Sequence, residues 1–309
     1  MNLMLTNFCN LHCAYCFAED SMVGSEQEMT IENFKYCLDF LKQEDIELVN
    51  LIGGEPTLHS RFVEVLDLIK EYGFLSIQLF TNGIFGEKVL KKLIDIQTDL
   101  TALINVNSPD VIGVKKYHTM RSNIEKLRGE NRNVVLGVNI FKPDMKLDFF
   151  KSFVEELQVK RIRWSVAVPG KMVKDTSAFY SEYKSIVLQF LEWAYEKRLH
   201  TTCDCNRIPL CVWEDKELRL LAVYEPEVLS FKQCSPVFDV KPNLDVIRCF
   251  GTGDKYVCNL KKYTSLRTMH VDFVRNVDLP SLKKITDSKC LDCSLFKNKE
   301  CRKACISML

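Results

Sequence analysis

Three thiols stand close together near the start of the chain, in Thr6-Asn7-Phe8-Cys9-Asn10-Leu11-His12-Cys13-Ala14-Tyr15-Cys16. Their C-x3-C-x2-C spacing follows a short apolar run, Met1 to Leu5, that reads as a strand opening into a loop. A cubane cluster has four irons, and cysteine thiolates are their usual protein ligands. Three thiolates leave one iron open, and an open iron can bind and polarise a small molecule, whereas a fully ligated cluster stores or carries electrons. Zinc, which usually wants four ligands in paired clusters, and three reduced thiols are the alternatives these residues leave.

A second stretch, Leu51-Ile52-Gly53-Gly54-Glu55-Pro56-Thr57, places its Gly-Gly-Glu-Pro string 37 residues after Cys16. It falls at the end of a predicted strand, where parallel α/β architectures gather their ligands. The glycines permit close backbone approach to a ligand, and Glu55 can pair with an ammonium group. A plain turn is the other reading.

The elements that must position these residues alternate. Thr30 caps a helix with Ile31, Phe34, Leu38 and Leu41 at three- and four-residue spacing, and Cys37 on the same side reads as a small core residue. Strands are expected over 47–52, 75–80, 103–106, 134–140 and 161–168, with helices over 62–70, 88–96, 122–128 and 147–157 between them. After Pro169-Gly170 comes a long amphipathic helix with Phe179, Tyr183, Ile186, Phe190 and Ala194 on one face, expected to pack on the body; beyond His200 the alternation stops. Such a series argues for α/β class, a parallel sheet with helices outside it, which right-handed crossovers would curl into an open barrel. Periodicity does not separate that barrel from a doubly wound sheet.

At 309 residues, 47% hydrophobic and 27% charged, the chain suits one large domain with an appendage, or two domains. A net charge of +1 steers it toward neither nucleic acid nor an anionic membrane, and runs such as Lys115-Lys116 and Lys160-Arg161 read as solvated element ends. With no 18-residue apolar stretch and no signal-peptide pattern, a cytoplasmic protein is expected. Of its 14 cysteines, ten lie after residue 200. In a chain of this size and compartment metal explains them better than a disulfide scaffold.

The cysteine triplet with an aromatic before its third Cys, followed by Gly-Gly-Glu-Pro at the next strand end, resembles the radical S-adenosylmethionine (SAM) enzymes. The resemblance implies a partial (β/α)6 TIM-like barrel over 1–200, a 4Fe–4S cluster on Cys9, Cys13 and Cys16, and SAM chelated by the open iron. It further implies that Tyr15 lies near the adenine, and that Gly53, Gly54, Glu55 and Pro56 hold the SAM amino group. Thr81, in Thr81-Asn82-Gly83, is similar to a residue found there in many relatives. Asn105 matches a polar residue facing the ribose, and Arg121 resembles an arginine that binds the carboxylate. His12 and His59 flank these motifs and are read as incidental.

The tail, with Cys234-x14-Cys249 and Cys290-x2-Cys293-x7-Cys301-x3-Cys305, resembles the SPASM/twitch extension of peptide-modifying radical SAM enzymes, a C-terminal Cys-rich auxiliary iron–sulfur domain over 201–309. The family's usual third spacing is five residues, not seven; its glycine before the second Cys is replaced by Asn243-Leu244-Asp245, and no further Cys follows the last motif. By analogy Cys234, Cys249 and Cys305 with one of Cys203, Cys205 or Cys211 would hold one auxiliary 4Fe–4S cluster. Cys290, Cys293 and Cys301, with Cys258 as a fourth candidate, would hold a second, and zinc competes for the terminal quartet.

The implied activity is reductive cleavage of SAM to a 5′-deoxyadenosyl radical that abstracts a hydrogen from a peptide, for a crosslink, a thioether or a dehydrogenation. An external flavodoxin- or ferredoxin-type donor would supply the electron. Phe250 stands where relatives that oxidise a sulfatase Cys or Ser have an Asp, and no catalytic base is assigned. Only eight residues precede Cys9, so a separate peptide-recognition protein is expected if the substrate is a peptide. The alternatives are a radical SAM enzyme acting on a small metabolite, and a non-catalytic iron–sulfur or zinc protein.

Overall fold

The computed structural model describes residues 1–16, 18, 27–167, 173, 175–229, 237–284, 289–298, 300–301 and 305–308. The chain divides into two compact units, Met1–Leu136 with Val237–Val274, and Gly137–Pro236 with Arg275–Leu309. Residues 201–309 are therefore shared between both units.

In the first unit strands and helices alternate as β1 (Asn2–Met4), α1 (Ile31–Gln43), β2 (Leu48–Ile52), α2 (Phe62–Glu71), β3 (Ser76–Thr81), α3 (Glu87–Asp95), β4 (Asp99–Asn105), α4 (Pro109–Ile112) and α5 (Val114–Gly129). The division falls within β5 (Asn133–Ile140). Strands β1, β2, β3 and β4 pair in parallel and in chain order. On the other side of β1 lie three short strands, β8 (Asp239–Val240), parallel to it, then β9 (Asp245–Ile247) and β10 (Cys258–Asn259), both antiparallel to their neighbours. Helix α9 (Leu266–Phe273) completes this unit.

The second unit contains α6 (Asp148–Glu156), β6 (Arg161–Val166), α7 (Thr176–Glu196), β7 (His200–Cys203), α8 (Asp215–Tyr224) and the short helices α10 (Leu279–Lys283), α11 (Lys289–Asp292) and α12 (Ser294–Lys297). Strands β6 and β7 pair in parallel. The molecule is of the α/β class with a mostly parallel sheet, as expected.

Side chains alternate across a strand, and the first unit's sheet uses the two faces differently. Leu3, Val49, Leu51, Ile77, Leu79, Leu100, Ala102 and Ile104 on one face are at most 1% exposed. On the opposite face Asn2, Asn50, Gln78 and Thr101 are only half-buried. A fully apolar face must be covered by helices, whose own apolar stripes supply the cover. In α1 that stripe is Phe34, Cys37, Leu38 and Leu41, and the helix starts where Thr30 Oγ1 accepts the Asn33 amide at 3.1 Å. Burial pushes the Cys37 thiol up, as suits a core residue.

Several elements differ from expectation. Helix α5 begins two turns before Ser122, at Val114, because a helix whose first turns are polar (Lys115, Lys116, His118) shows no apolar period. Strand β4 starts at Asp99, and β6 ends at Val166, with Val168 outside the described residues. The alternation also continues past His200: β7 has no apolar run, yet its backbone pairs with β6, and Thr201 Oγ1 donates to Glu225. Pro169 and Gly170 lie outside the described residues. Among the described residues no helix is long and apolar enough to cross a membrane.

Candidate active site

The N-terminal cysteine loop is fastened to the loop after β2 by backbone hydrogen bonds. Leu5 N donates to Ile52 O at 2.9 Å, Gly54 N to Thr6 O at 2.8 Å and Glu55 N to Phe8 O at 2.7 Å, which extends the parallel β1–β2 pairing beyond both strands. This contact explains the glycines. A Cβ on Gly53 would sit 2.7 Å from Thr6 O, and one on Gly54 2.6 Å from the Phe8 carbonyl carbon and 2.8 Å from Asn7 O. The close approach expected toward a ligand is thus made to the chain's own cysteine loop.

Further side chains tie the same loop to the ends of β3 and β4. Asn82 Nδ2 donates to Asn10 Oδ1 at 2.6 Å, Asn10 Nδ2 to Ile84 O at 2.9 Å, and Lys116 Nζ to Asn10 O at 2.6 Å. The Tyr15 hydroxyl donates to Asn107 Oδ1 at 2.9 Å. The sequence assigns no role to Asn10, Asn82 or Asn107, since isolated polar residues in loops have no periodicity, and Lys116, read there as a solvated element end, is instead tied to the cysteine loop.

Glu55 is 1% exposed. Its Oε1 accepts from the Thr57 amide at 3.2 Å, Thr57 Oγ1 at 2.6 Å and Thr81 Oγ1 at 2.7 Å, and its Oε2 from the Asn82 amide at 2.7 Å. Burial raises its pKa, and those donors partly offset the rise. Among the described residues no basic side chain pairs with it. A buried carboxylate without a cation is costly, so the arrangement suits a ligand that brings a positive charge. Pro56, buried next to it, starts the short turn Pro56–Leu58 that presents the Thr57 amide.

The thiols of Cys9, Cys13 and Cys16 are half-buried, and Cys16 N donates to Cys13 O at 2.9 Å. The Cys13 thiol is pushed up to about 11, chiefly by burial, with the Cys16 and Cys9 thiolates adding to the rise and Tyr15 partly offsetting it. Cys9 is raised by the same burial, with Glu55 and Cys16 adding to it. Thiols that feel one another's charge, as Cys9 and Cys13 feel each other or Cys16, fit a metal centre that would displace their protons. Among the described residues no three His, Cys, Asp or Glu side chains converge as a single ion requires; in a cubane each thiolate takes a separate iron.

The remaining expected residues are spread out. Thr81 ends β3 against Glu55, and Asn105 ends β4, half-buried on the polar face. Arg121 lies on α5, where its Nε donates to Glu125 Oε1 at 2.9 Å. His12 is exposed, while His59 is buried between Met29 O, 2.8 Å from its Nε2, and the Arg61 amide, which donates to its Nδ1 at 3.1 Å. His59 therefore serves packing.

Of the tail cysteines, Cys249 and Cys258 belong to the first unit, and Cys203, Cys205, Cys211, Cys290, Cys293, Cys301 and Cys305 to the second. Cys234 lies outside the described residues. Cys203 is buried, with its thiol pushed up to about 12 by that burial, whereas Cys205 and Cys211 are exposed. Cys290 sits in α11, Cys293 caps α12, and Cys305 is buried with its Sγ 3.0 Å from Ser307 Oγ.

Several known proteins are similar to this chain. A pterin enzyme of Methanocaldococcus jannaschii, 7,8-dihydro-6-hydroxymethylpterin dimethyltransferase, is 38% identical over 96 residues, 30% of this chain and 19% of that protein. An S-adenosylmethionine-dependent nucleotide dehydratase of Selenomonas ruminantium is 33% identical over 84 residues, 27% of this chain and 29% of the relative. The chain thus spans less than a third of the length of these curated relatives. Among solved structures, native anSMEcpe with bound AdoMet and Kp18Cys peptide superposes with a TM-score of 0.70 at 16% identity, over 98% of this chain and 88% of that one. Streptococcus suis SuiB bound to S-adenosylmethionine gives 0.65 at 16%, over 96% and 70%. The likeness to both is one of fold. The Radical SAM superfamily model matches residues 3–157, just over half of the 309, and the chain belongs to that superfamily.

Proposed function

We propose that the protein is a radical SAM enzyme that takes a hydrogen from a peptide substrate during an oxidative modification. Cys9, Cys13 and Cys16 would hold the 4Fe–4S cluster. Gly53, Gly54, Glu55, Pro56, Thr81, Asn105 and Arg121, with Tyr15, would form the SAM site. When bound, the cluster supplies the electron that cleaves the SAM sulfonium, and the resulting radical takes the substrate hydrogen.

The observation that carries this reading is the buried Glu55 carboxylate, fixed by four donors and without a cation among the described residues, on a loop hydrogen-bonded to the cysteine loop. An ammonium group there replaces lost hydration with a paired charge. The Thr57, Thr81 and Asn82 donors hold the carboxylate before the ligand arrives, so little ordering is needed on binding.

Residues 1–200 would form the catalytic core and 201–309 a region for one or two auxiliary clusters on Cys234, Cys249, Cys290, Cys293, Cys301 and Cys305, fed by an external electron donor. Support for a peptide comes from the fold relatives: anSMEcpe is seen with a Kp18Cys peptide, and SuiB with its precursor peptide SuiA. A metabolite is the second reading, because the curated relatives include the pterin and nucleotide enzymes and probable GTP 3′,8-cyclases.

Anaerobic reconstitution tests the proposal. The loaded protein should form 5′-deoxyadenosine from SAM under reductant, and the Cys9→Ala, Cys13→Ala and Cys16→Ala variants should form none. Iron counts of about four, eight or twelve per chain separate no, one or two auxiliary clusters. A cluster-loaded wild type that leaves SAM intact would end the catalytic reading.

A further inference from the structure

Asn82 touches both halves of the site. Its backbone N–H donates to Glu55 Oε2 at 2.7 Å and is the one donor that this oxygen receives from the described residues, whereas Oε1 takes three. Its side-chain Nδ2 donates to Asn10 Oδ1 at 2.6 Å, and Asn10 stands between Cys9 and Cys13 in the cysteine loop. A single residue thus joins the buried carboxylate to the loop that carries the thiols.

Ile84 settles how the two amides face each other. Its N–H donates to Asn82 Oδ1 at 2.9 Å, a side-chain turn that asparagine favours, and its C=O accepts from Asn10 Nδ2 at 2.9 Å. An amide has one oxygen and one nitrogen, so Asn82 Nδ2 and Asn10 Oδ1 are left to meet. Helix α5 braces both partners. Buried Asn123 donates from Nδ2 to Gly83 O and Phe85 O, both at 2.9 Å, and Lys116 Nζ donates to Asn10 O at 2.6 Å.

The backbone bonds from the end of β2 reach only as far as Phe8 O, before the first cysteine. Between Cys9 and Cys13 the contacts of Asn10 take over, and of these only the bond from Asn82 leads back to Glu55.

We propose that Asn82 is a positioning residue that holds the cysteine loop in register with the Glu55 carboxylate, so that one SAM molecule can engage both. The assignment rests on the reading of Cys9, Cys13 and Cys16 as cluster ligands and of Glu55 as the holder of the SAM amino group, and it adds the residue that links them.

The test uses the full chain, anaerobically loaded with iron and sulfide, and measures iron content and, without reductant, the SAM dissociation constant by equilibrium dialysis. Asn82→Ser keeps a hydroxyl able to accept from the Ile84 amide but is too short to reach Asn10, and Asn10→Ala removes the partner. Each should hold the iron of wild type and bind SAM about tenfold more weakly, as for one lost hydrogen bond. Because both act through one bond, the double variant should be no weaker than either single one. The EPR spectrum of the reduced, rapidly frozen cluster should match wild type before SAM is added and differ from it at saturating SAM. Wild-type SAM affinity in Asn82→Ser, losses that multiply in the double variant, or iron lost in step with SAM would overturn the assignment. SAM binding by wild type is scored separately: its absence sinks the enzyme reading, whereas variants equal to a wild type that binds SAM sink the register alone.

Discussion

The loop bearing Cys9, Cys13 and Cys16 is pinned by backbone bonds to Gly54 and Glu55 and by side chains from the ends of β3 and β4. Cys290 and Cys293 instead sit on or beside two four-residue helical turns, α11 and α12, and Cys301 is joined to the same segment by its N–H, which donates to Leu295 O at 3.0 Å. Helices that short do not persist on their own. The first thiols are placed by the fold itself, while the second segment is built from short local turns that a metal centre, as proposed, would order. Where binding orders the ligands, binding free energy becomes folding free energy.

The strongest way to break this contrast is to unfasten the first loop. Gly54→Ala puts a methyl group into backbone atoms that have no room to give, and overpacking against main chain should cost roughly 3 kcal/mol or more. We expect the variant to lose most of its N-terminal cluster iron and SAM cleavage. Gly86→Ala, where nothing lies within 4 Å of the new Cβ, should change neither. Equal iron loading of Gly54→Ala and wild type would mean that the loop is not preformed.

The role of Gly54 bears on what the sequence could tell. Its position after a strand was legible, because Leu48–Ile52 has the apolar character and the flanking glycines of a buried strand. Its partner was not, because a close approach to Phe8 depends on β1 and β2 pairing, which is a long-range choice. Similarly Thr30, Phe34 and Leu38 announced α1 through cap and period, whereas β7 and β8 carry no local signal and exist through their neighbours' backbones. The identity of Glu55 as a candidate ligand was readable; its fixation by Thr57, Thr81 and Asn82 needed the ends of β2 and β3 side by side.

A smaller effect sharpens the contrast from the other side. Removing iron from the reconstituted protein with an anaerobic chelator should strip amide hydrogen-exchange protection from residues 289–298 and 305–308 by 100-fold or more, as expected when a few kcal/mol of local order is lost. Protection of residues 3–5 and 51–55 should fall by less than about tenfold. Equal loss in both segments would show that metal orders the N-terminal loop too.

Cys249 stands between the two cases, since it belongs to the tail in sequence and to the first unit in space. Asp239 makes the link: buried in β8, its Oδ1 accepts from Asn2 in β1, and its Oδ2 accepts from the Phe250 amide at 3.1 Å, fixing the backbone beside Cys249. Burial raises the carboxyl to about 6 from an ordinary 3.8, against the pull of those two donors. A carboxyl whose folded pKa is raised keeps its proton longer in the folded state. Its contribution is therefore fully present below about 4 and is lost as pH climbs through about 6, by roughly 1–3 kcal/mol. Asp239→Asn keeps an acceptor for one donor and no longer titrates. We expect urea unfolding of wild type to lose stability between pH 4 and 7 relative to Asp239→Asn, the two converging at the acid end. Parallel pH profiles would mean that Asp239 is charged at no cost, and that β8 fixes the backbone beside Cys249 equally well at either charge.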